Sequence, residues 1–184
     1  MKISPLEIKG NWKATPETHS DHRGFFREWF KKSEILEITG QNFDVSQANI
    51  STSQTGVLRG IHFSSAPEGQ AKWVTCMAGA ILDVIVDLRP ESETYRQWTS
   101  VELNSENGEA IFVDERMGHA FLSLQDSTTV AYLLSSLYQP EFEYGINPFD
   151  LSLGIKWPSS GLILSDKDQN APTLEMHVRM GHVK

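Results

Sequence analysis

Cysteine is almost missing from this chain: Cys76 is the only one in 184 residues, so an internal disulfide is excluded. Its apolar neighbours Val74 and Met77 mark it as a buried structural thiol, and its isolation fits a reducing compartment. Positive charge is scarce as well. The chain carries 16 Lys and Arg against 24 Asp and Glu, a formal net charge of −8. A diffuse basic surface for nucleic acid or acidic lipid is therefore not expected. Any phosphate must be held by a few cations placed locally. No apolar run approaches the roughly 20 residues of a membrane span. The opening Met1-Lys2-Ile3-Ser4-Pro5-Leu6 lacks the apolar stretch of a secretion signal. These absences predict a soluble cytoplasmic protein with no nucleic-acid or membrane partner. Repeats, low-complexity tracts and linkers are lacking too, so residues 1–184 read as one domain with a sizeable core.

What is present is mostly strand. Only 31–38, with Ile35, Leu36 and Ile38, reads as a short helix. Runs at 45–51, 57–63, 70–76, 80–88, 97–103, 110–113, 120–124 and 128–134 read as strands, punctuated by Gly56, Gly69 and Gly79. Eight strands at this spacing predict an all-β closed barrel or double-sheet jelly roll. The last fifty or so residues, rich in Pro, Gly and Asp, are expected to wrap over it with little regular structure.

Strand parity sorts the faces, because successive side chains point to opposite sides. Along β-run 45–53, one face carries Gln47, Asn49, Ser51 and Ser53. It suits a polar cavity lining or a solvated outer face equally well. Along 81–88, Leu82, Val84, Val86 and Leu88 form a core face, and Ile81, Asp83, Ile85 and Asp87 alternate opposite. Acids there either meet water or hold a cation or imidazole inside a cavity.

The segment Gly56-Val57-Leu58-Arg59-Gly60-Ile61-His62-Phe63 carries the strongest chemical signal. Regular parity sends Arg59 and His62 to opposite faces, but Gly60 between them could seat a bulge that turns both inward. Imidazole titrates near neutral pH, which suits His62 to general-base work, although a structural histidine is the commoner use of a lone one. A cupin-type metal site usually offers a second histidine two residues on, where this chain has Ser64. His119 is the one other mid-chain histidine, and two separate imidazoles make a poor divalent site, so no metal is expected. Lys72 could stabilise an enolate, Tyr132 fits a core position with a polar tip, and Asp168 sits among residues that are ordinarily solvated.

Taken in order, these elements resemble one family. Asp21-His22-Arg23-Gly24-Phe25-Phe26-Arg27-Glu28 is similar to the D-x-R-G-F-F-x-E opening of the dTDP-4-dehydrorhamnose 3,5-epimerases. Gln47-Ala48-Asn49-Ile50-Ser51, the Gly56–Phe63 segment, Lys72 to Cys76 and Gly79 to Arg89 continue the pattern. Gly118-His119, Tyr132, Tyr138-x-Pro140-x-x-Glu143-x-Gly145-Ile146, Trp157-Pro158 and Ser165-x-Lys167-Asp168 complete it, over about residues 10–172. The resemblance implies a cupin-type jelly-roll homodimer that acts on a dTDP-4-keto-6-deoxyhexose without metal or other cofactor. It implies His62 as base oriented by Asp168, Tyr132 as the opposing proton donor, and Lys72 beside the keto oxygen. Substrate-binding positions carry over to Arg23, Glu28, Gln47, Asn49, Arg59, His119, Tyr138 and Glu143. The loop at 64–71 and the turn at 114–120 depart from the commonest pattern. They are closer to relatives that make unusual deoxysugars, some of which invert a single centre.

Overall fold

A computed structural model of the chain describes residues 1–67, 69–158 and 161–183, so Glu68 of the 64–71 loop lies outside the described residues. Two antiparallel sheets face each other. The larger runs β1 (Lys2–Pro5), β2 (Trp12–Thr15), β10 (Ala110–Val113), β7 (Lys72–Ala78), β12 (Thr128–Leu134) and β5 (Gln47–Ser53). The smaller runs β13 (Glu143–Gly145), β6 (Leu58–Ser64), β11 (Met117–Ser123), β8 (Ala80–Asp87) and β9 (Trp98–Asn104). Between them lies an apolar cluster drawn from both sheets, including Val74 and Val130 from one and Ile81, Ile85 and Phe121 from the other. The fold is thus the expected cupin-type jelly roll, and all eight strands read from sequence are present.

Both sheets are also covered on the outside. Helix α1 (Lys32–Thr39), where a helix was expected, packs Ile35 with Phe43, Trp73 and Phe112 against the larger sheet. Residues 146–158 and 161–183 cover the smaller sheet, bringing Ile146, Leu153, Leu174 and Val183 onto Ile61, Phe63, Val84 and Val86. Each such side chain stabilises the fold by about 1.5–3 kcal/mol when fully buried. This covering resolves the parity of β8. The Val84/Val86/Leu88 face is core, but the outer core beneath the C-terminal segment. The barrel interior receives Ile81, Asp83 and Ile85 instead. In β5 the polar face turns inward, since Gln47, Asn49 and Ser51 are half-buried while Ala48, Ile50 and Thr52 are exposed.

Regular structure beyond the reading above is short. β1 and β2 have four residues each, and β3 (Thr18–Asp21) and β4 (Gly24–Arg27) make a separate exposed hairpin. The C-terminal stretch is largely loop, with β13, α2 (Asp166–Gln169) and α3 (Leu174–Arg179) set into it. Cys76 is 2% exposed, and burial pushes its thiol up to about 11, the behaviour of a structural residue.

At the end of β8, Asp87 organises the turn that follows. Its carboxylate takes both Nε and Nη2 of Arg89 at 2.9 Å, and the hydroxyls of Ser92 and Thr94 at 2.6 Å. Burial opposes ionisation, yet these donors outweigh it and hold the carboxyl at about 2. The folded value lies below the ordinary one of 3.8, so the stabilisation is complete above that pH and is lost as pH falls towards 2. Allowing for partial screening, it amounts to about 1–2 kcal/mol. Asp87→Asn should therefore lower the melting temperature at neutral pH and flatten its fall between about pH 4 and pH 2. Parallel thermal melts of both proteins across that range check this. An unchanged acid limb would mean that Asp87 is not what titrates.

Candidate active site

The bulge expected at Gly60 exists. β6 pairs with β11 as His119↔His62 and then Phe121↔Arg59, so the register slips by one residue between them. Gly60 has φ 115°, and a Cβ there would stand 2.6 Å from the His119 carbonyl oxygen and 2.7 Å from Ala120 Cβ. Only a residue without a side chain permits that approach and that backbone conformation. As a result Arg59 and His62 both line a cavity of about 460 Å³ between the sheets.

His62 is bonded at that cavity to Asp168, 106 residues away, with Nε2 and Oδ1 2.6 Å apart. Asp168 is 4% exposed, and Ser165, which caps α2, accepts its backbone N–H through Oγ at 3.1 Å. The Gly60 N–H points at the second carboxylate oxygen at 3.4 Å. Burial raises the Asp168 carboxyl, but the bond to His62, the His62 charge, the Gly60 N–H and the nearby Ser165 side chain outweigh burial and hold it below the ordinary value. An ionised Asp168 fixes the imidazole proton on Nε2 and leaves Nδ1 as the basic atom.

The opposite wall comes from the larger sheet. Tyr132 and Asn49, cross-strand partners on β12 and β5, line it together with Lys72 of β7. Lys72 is 8% exposed; desolvation lowers its pKa, opposed by the charges of Glu143 and Asp83. Glu143 of β13 also lines the cavity and accepts from Gln70 Nε2 at 3.3 Å. Tyr138 stands at the rim, 54% exposed, its backbone N–H donated to Gln47 Oε1 at 3.0 Å. Arg59 is held by Ser53 Oγ, which accepts from its Nε at 3.1 Å.

Eight of the twelve residues singled out from sequence thus share one cavity. The other four stand elsewhere. Gln47 sits behind the lining and orients Asn49 by donating Nε2 to Oδ1 at 2.9 Å. His119 does not reach the lining, because Nε2 lies 2.9 Å from both oxygens of buried Asp83. Arg23 is on the exposed β3–β4 turn, paired with Asp21 at 2.6 Å, and Glu28 lies 3.9 Å from Lys31. Reading the sequence overlooked Lys167, Gln70 and Ser165 as wall residues. Lys167 was legible in the Ser165-x-Lys167-Asp168 motif, where it adds a third cation to Arg59 and Lys72. Among the described residues, no group of three or more His, Cys, Asp or Glu is arranged to hold a metal ion. No described helix is long and apolar enough to cross a membrane.

Comparison with known proteins meets this geometry. The sequence profile described as dTDP-4-dehydrorhamnose 3,5-epimerase matches residues 5–176. The chain belongs to that epimerase family. It is 47% identical to a dTDP-4-dehydro-6-deoxyglucose 3-epimerase of a Streptomyces species, over 97% of this chain and 92% of that protein. It is equally, 47%, identical to a dTDP-4-dehydrorhamnose 3,5-epimerase of Mycolicibacterium smegmatis, over 95% of this chain and 86% of that one. Among solved structures, the rmlC epimerase of Mycobacterium tuberculosis superposes with a TM-score of 0.97 at 41% identity. That match covers 100% of this chain and 93% of the other. As a member of this family, the chain is an isomerase.

Because Gly60 permits the slip that turns Arg59 and His62 to the same side, Gly60→Ala should cost about 2–5 kcal/mol through backbone strain and overlap. It should also detach His62 from Asp168. Urea unfolding combined with the imidazole NMR shift of His62 tests both parts. Retained stability with an unchanged His62 signal would remove Gly60 from the design of the site.

Proposed function

We propose that this epimerase acts on dTDP-4-dehydro-6-deoxy-D-glucose, inverting C3, C5 or both beside the C4 ketone. The observation that carries this reading is a histidine–carboxylate dyad on one wall of a cavity with a tyrosine on the other. A C4 ketone acidifies the hydrogens on C3 and C5, because loss of either gives an enolate. Inversion then requires taking a proton from one face and returning one to the opposite face. His62 is the base, working through Nδ1, and Asp168 stabilises the imidazolium that forms. Tyr132, on the facing sheet, is the donor. Lys72, desolvated at the same wall, offsets the charge that develops on the C4 oxygen. Electrons are neither gained nor lost, so the chemistry requires no redox cofactor.

The rest of the wall suits a nucleotide diphosphate. Arg59 and Lys167 supply local positive charge in a chain of net charge −8, and charge-assisted hydrogen bonds to phosphate are among the stronger ones. Asn49, Tyr138 and Glu143 offer the hydrogen bonds that a sugar and base need, with Gln47 and His119 supporting them. Arg23 and Glu28 are kept as binding residues by a homodimer in which the β3–β4 hairpin of one protomer reaches the cavity of the other. Support for this comes from that hairpin, whose Phe25 and Phe26 are each 63% exposed. The cytoplasm is the matching compartment for an enzyme with one buried thiol and a nucleotide-linked substrate. Inversion at C3 alone is the second reading, favoured by the departures at 64–71 and 114–120.

An NMR time course of the 4-keto sugar nucleotide in heavy water tests the proposal and reports which centre exchanges. Exchange should fall about 10²–10⁴-fold in His62→Asn, with dTDP binding retained. Tyr132→Phe should still exchange hydrogen for deuterium yet invert little, because the enolate is reprotonated from the face it lost its proton on. Losing the hydroxyl costs about 0.5–1.5 kcal/mol of stability at most. Normal inversion by Tyr132→Phe would take the tyrosine out of the mechanism, and a His62→Asn enzyme of near-normal rate would overturn the whole assignment.

A further inference from the structure

Two histidines of the C-terminal covering are left over by this mechanism. His177 of α3 is 2% exposed, and His182 follows in the turn beyond the helix. Their Nδ1 atoms lie 3.1 Å apart, and His177 Nε2 is 2.8 Å from the Gly145 carbonyl oxygen. Phe63 meets the His177 ring edge-on with centroids 5.2 Å apart, and the Tyr144 ring stacks on His182 at 3.9 Å.

A carbonyl oxygen only accepts, so His177 carries hydrogen on Nε2, and its neutral ring presents Nδ1 as an acceptor. His182 then donates from Nδ1, which leaves its own Nε2 to take up a proton. The pair therefore holds with no added proton, or with one at His182 Nε2. It fails with two, because both Nδ1 atoms then carry hydrogen and face each other across 3.1 Å. Among the described residues, the titratable groups against His177 are His182 and Tyr144, and β6 offers it only Phe63. Glu175 and Arg179 of its own helix pair with each other at the surface. Arg116, paired with Glu91 at 2.6 Å, lines a second cavity of about 280 Å³ together with His182. Burial acts most strongly on His177 and holds its ring below the ordinary imidazole value; the Gly145 bond opposes this and the charge of His182 adds to it. The folded ring thus binds its proton less firmly than the unfolded one, so the pair is intact above about pH 6.5 and is undone as pH falls below it.

What the pair holds is the back of the proposed active site. β13 is a three-residue edge strand whose one strand partner is β6. Gly145 is opposite His62 in that pairing, and a Cβ on Gly145 would stand 3.8 Å from His62 Cδ2. Glu143 and Tyr144, the other two residues of β13, both line the cavity. A chain of neighbours therefore runs from His182 through His177 and Gly145 to the His62 ring.

We propose that His177 and His182 are positioning residues, a two-histidine clasp that seats β13 against His62 and opens when the pair takes up a second proton. This rests on the role proposed for His62, and the tests separate the two.

His177→Phe keeps a ring against Phe63 and Tyr144 but removes both hydrogen bonds. Its kcat/KM at neutral pH should fall about tenfold or more, and the imidazole NMR signals of His62 should shift. A merely structural role predicts a lower melting temperature with kcat/KM and the His62 signals unmoved, and that result overturns the proposal. His177→Gln restores a donor to Gly145 without a group that titrates. It should recover most of the rate, and the acid limb of kcat/KM, steeper than one proton in the wild type, should become a one-proton limb. Equal losses in the Gln and Phe variants, or an acid limb of unaltered steepness, refute the clasp. Should neither variant fold, His182→Phe answers from the other side. It keeps a ring on Tyr144 and removes the second imidazole, so the acid limb should again reduce to one proton, and a limb as steep as the wild type's refutes the idea. The His62 signals report where that ring sits whether or not it is the base, so a near-normal rate in His62→Asn removes the base and leaves the clasp to be judged on those signals.

Discussion

The approach of β6 to β11 at Gly60 is the constraint on which the site depends. A regular strand would show Arg59 and His62 to opposite sides of the sheet, one to the cavity and one to the C-terminal covering. The extra residue of β6 between Arg59 and His62, opposite the His119–Phe121 step of β11, breaks that alternation once, and a glycine on which a Cβ would stand 2.6 Å from a carbonyl oxygen makes room for it. The same peptide then offers its N–H to Asp168 at 3.4 Å. One irregular residue therefore brings Arg59, proposed to meet the phosphates, and His62, the proposed base, to one cavity and supplies part of the anchor of His62.

The second requirement is that the smaller sheet be covered. Its outer face bears Ile61, Phe63, Val84 and Val86, which would be exposed without the chain beyond residue 145. Residues 146–158 and 161–183 bury that face, and they bring Lys167 and Asp168 of α2 into the cavity wall. Asp168 thereby reaches His62. Packing and the geometry of the proposed dyad are coupled here through one segment: the apolar burial that fastens the C-terminal stretch also fixes the carboxylate within 2.6 Å of the imidazole. The β13 strand contributes in the same way, pairing Gly145 with His62 while Glu143 turns to the cavity.

Much of this was legible in the sequence where one periodicity dominated. Seven of the eight barrel strands alternate or run apolar for seven or eight residues, β10 is a four-residue apolar run, and the glycines between strands are turn signals. The inward bulge was legible because an Arg and a His three apart have a glycine between them. Faces were harder. β8 is buried on both sides, so the parity of Leu82 to Leu88 identified a core without saying which one. β1 and β2 are four residues each, too short for period-2 counting, and α2 has four residues and no apolar stripe. Asp168 became recognisable through motif order, since a solvated Ser-Asp-Lys-Asp turn and a buried dyad partner look alike in a single sequence. Arg23 and Glu28 mark the limit in the other direction: family position identified them, yet a single chain leaves them on an outlying hairpin.

Charge explains why such a site needs a barrel rather than a surface. With eight more acids than bases overall, the protein's outer field repels a diphosphate. Attraction must come from Arg59, Lys72 and Lys167 at short range, inside low-dielectric walls where water and salt screen less. Walls of that kind make an unpaired ammonium costly, so each buried cation needs an acid nearby, and each acid in turn needs a donor. Glu143 with Gln70, Asp83 with His119, and Asp168 with His62 and the Gly60 N–H satisfy that demand at the cavity wall and behind it. The polar interior is thus a consequence of holding cations in a desolvated place, and the His62–Asp168 pair proposed for proton transfer is one member of that set, distinguished by lining the cavity.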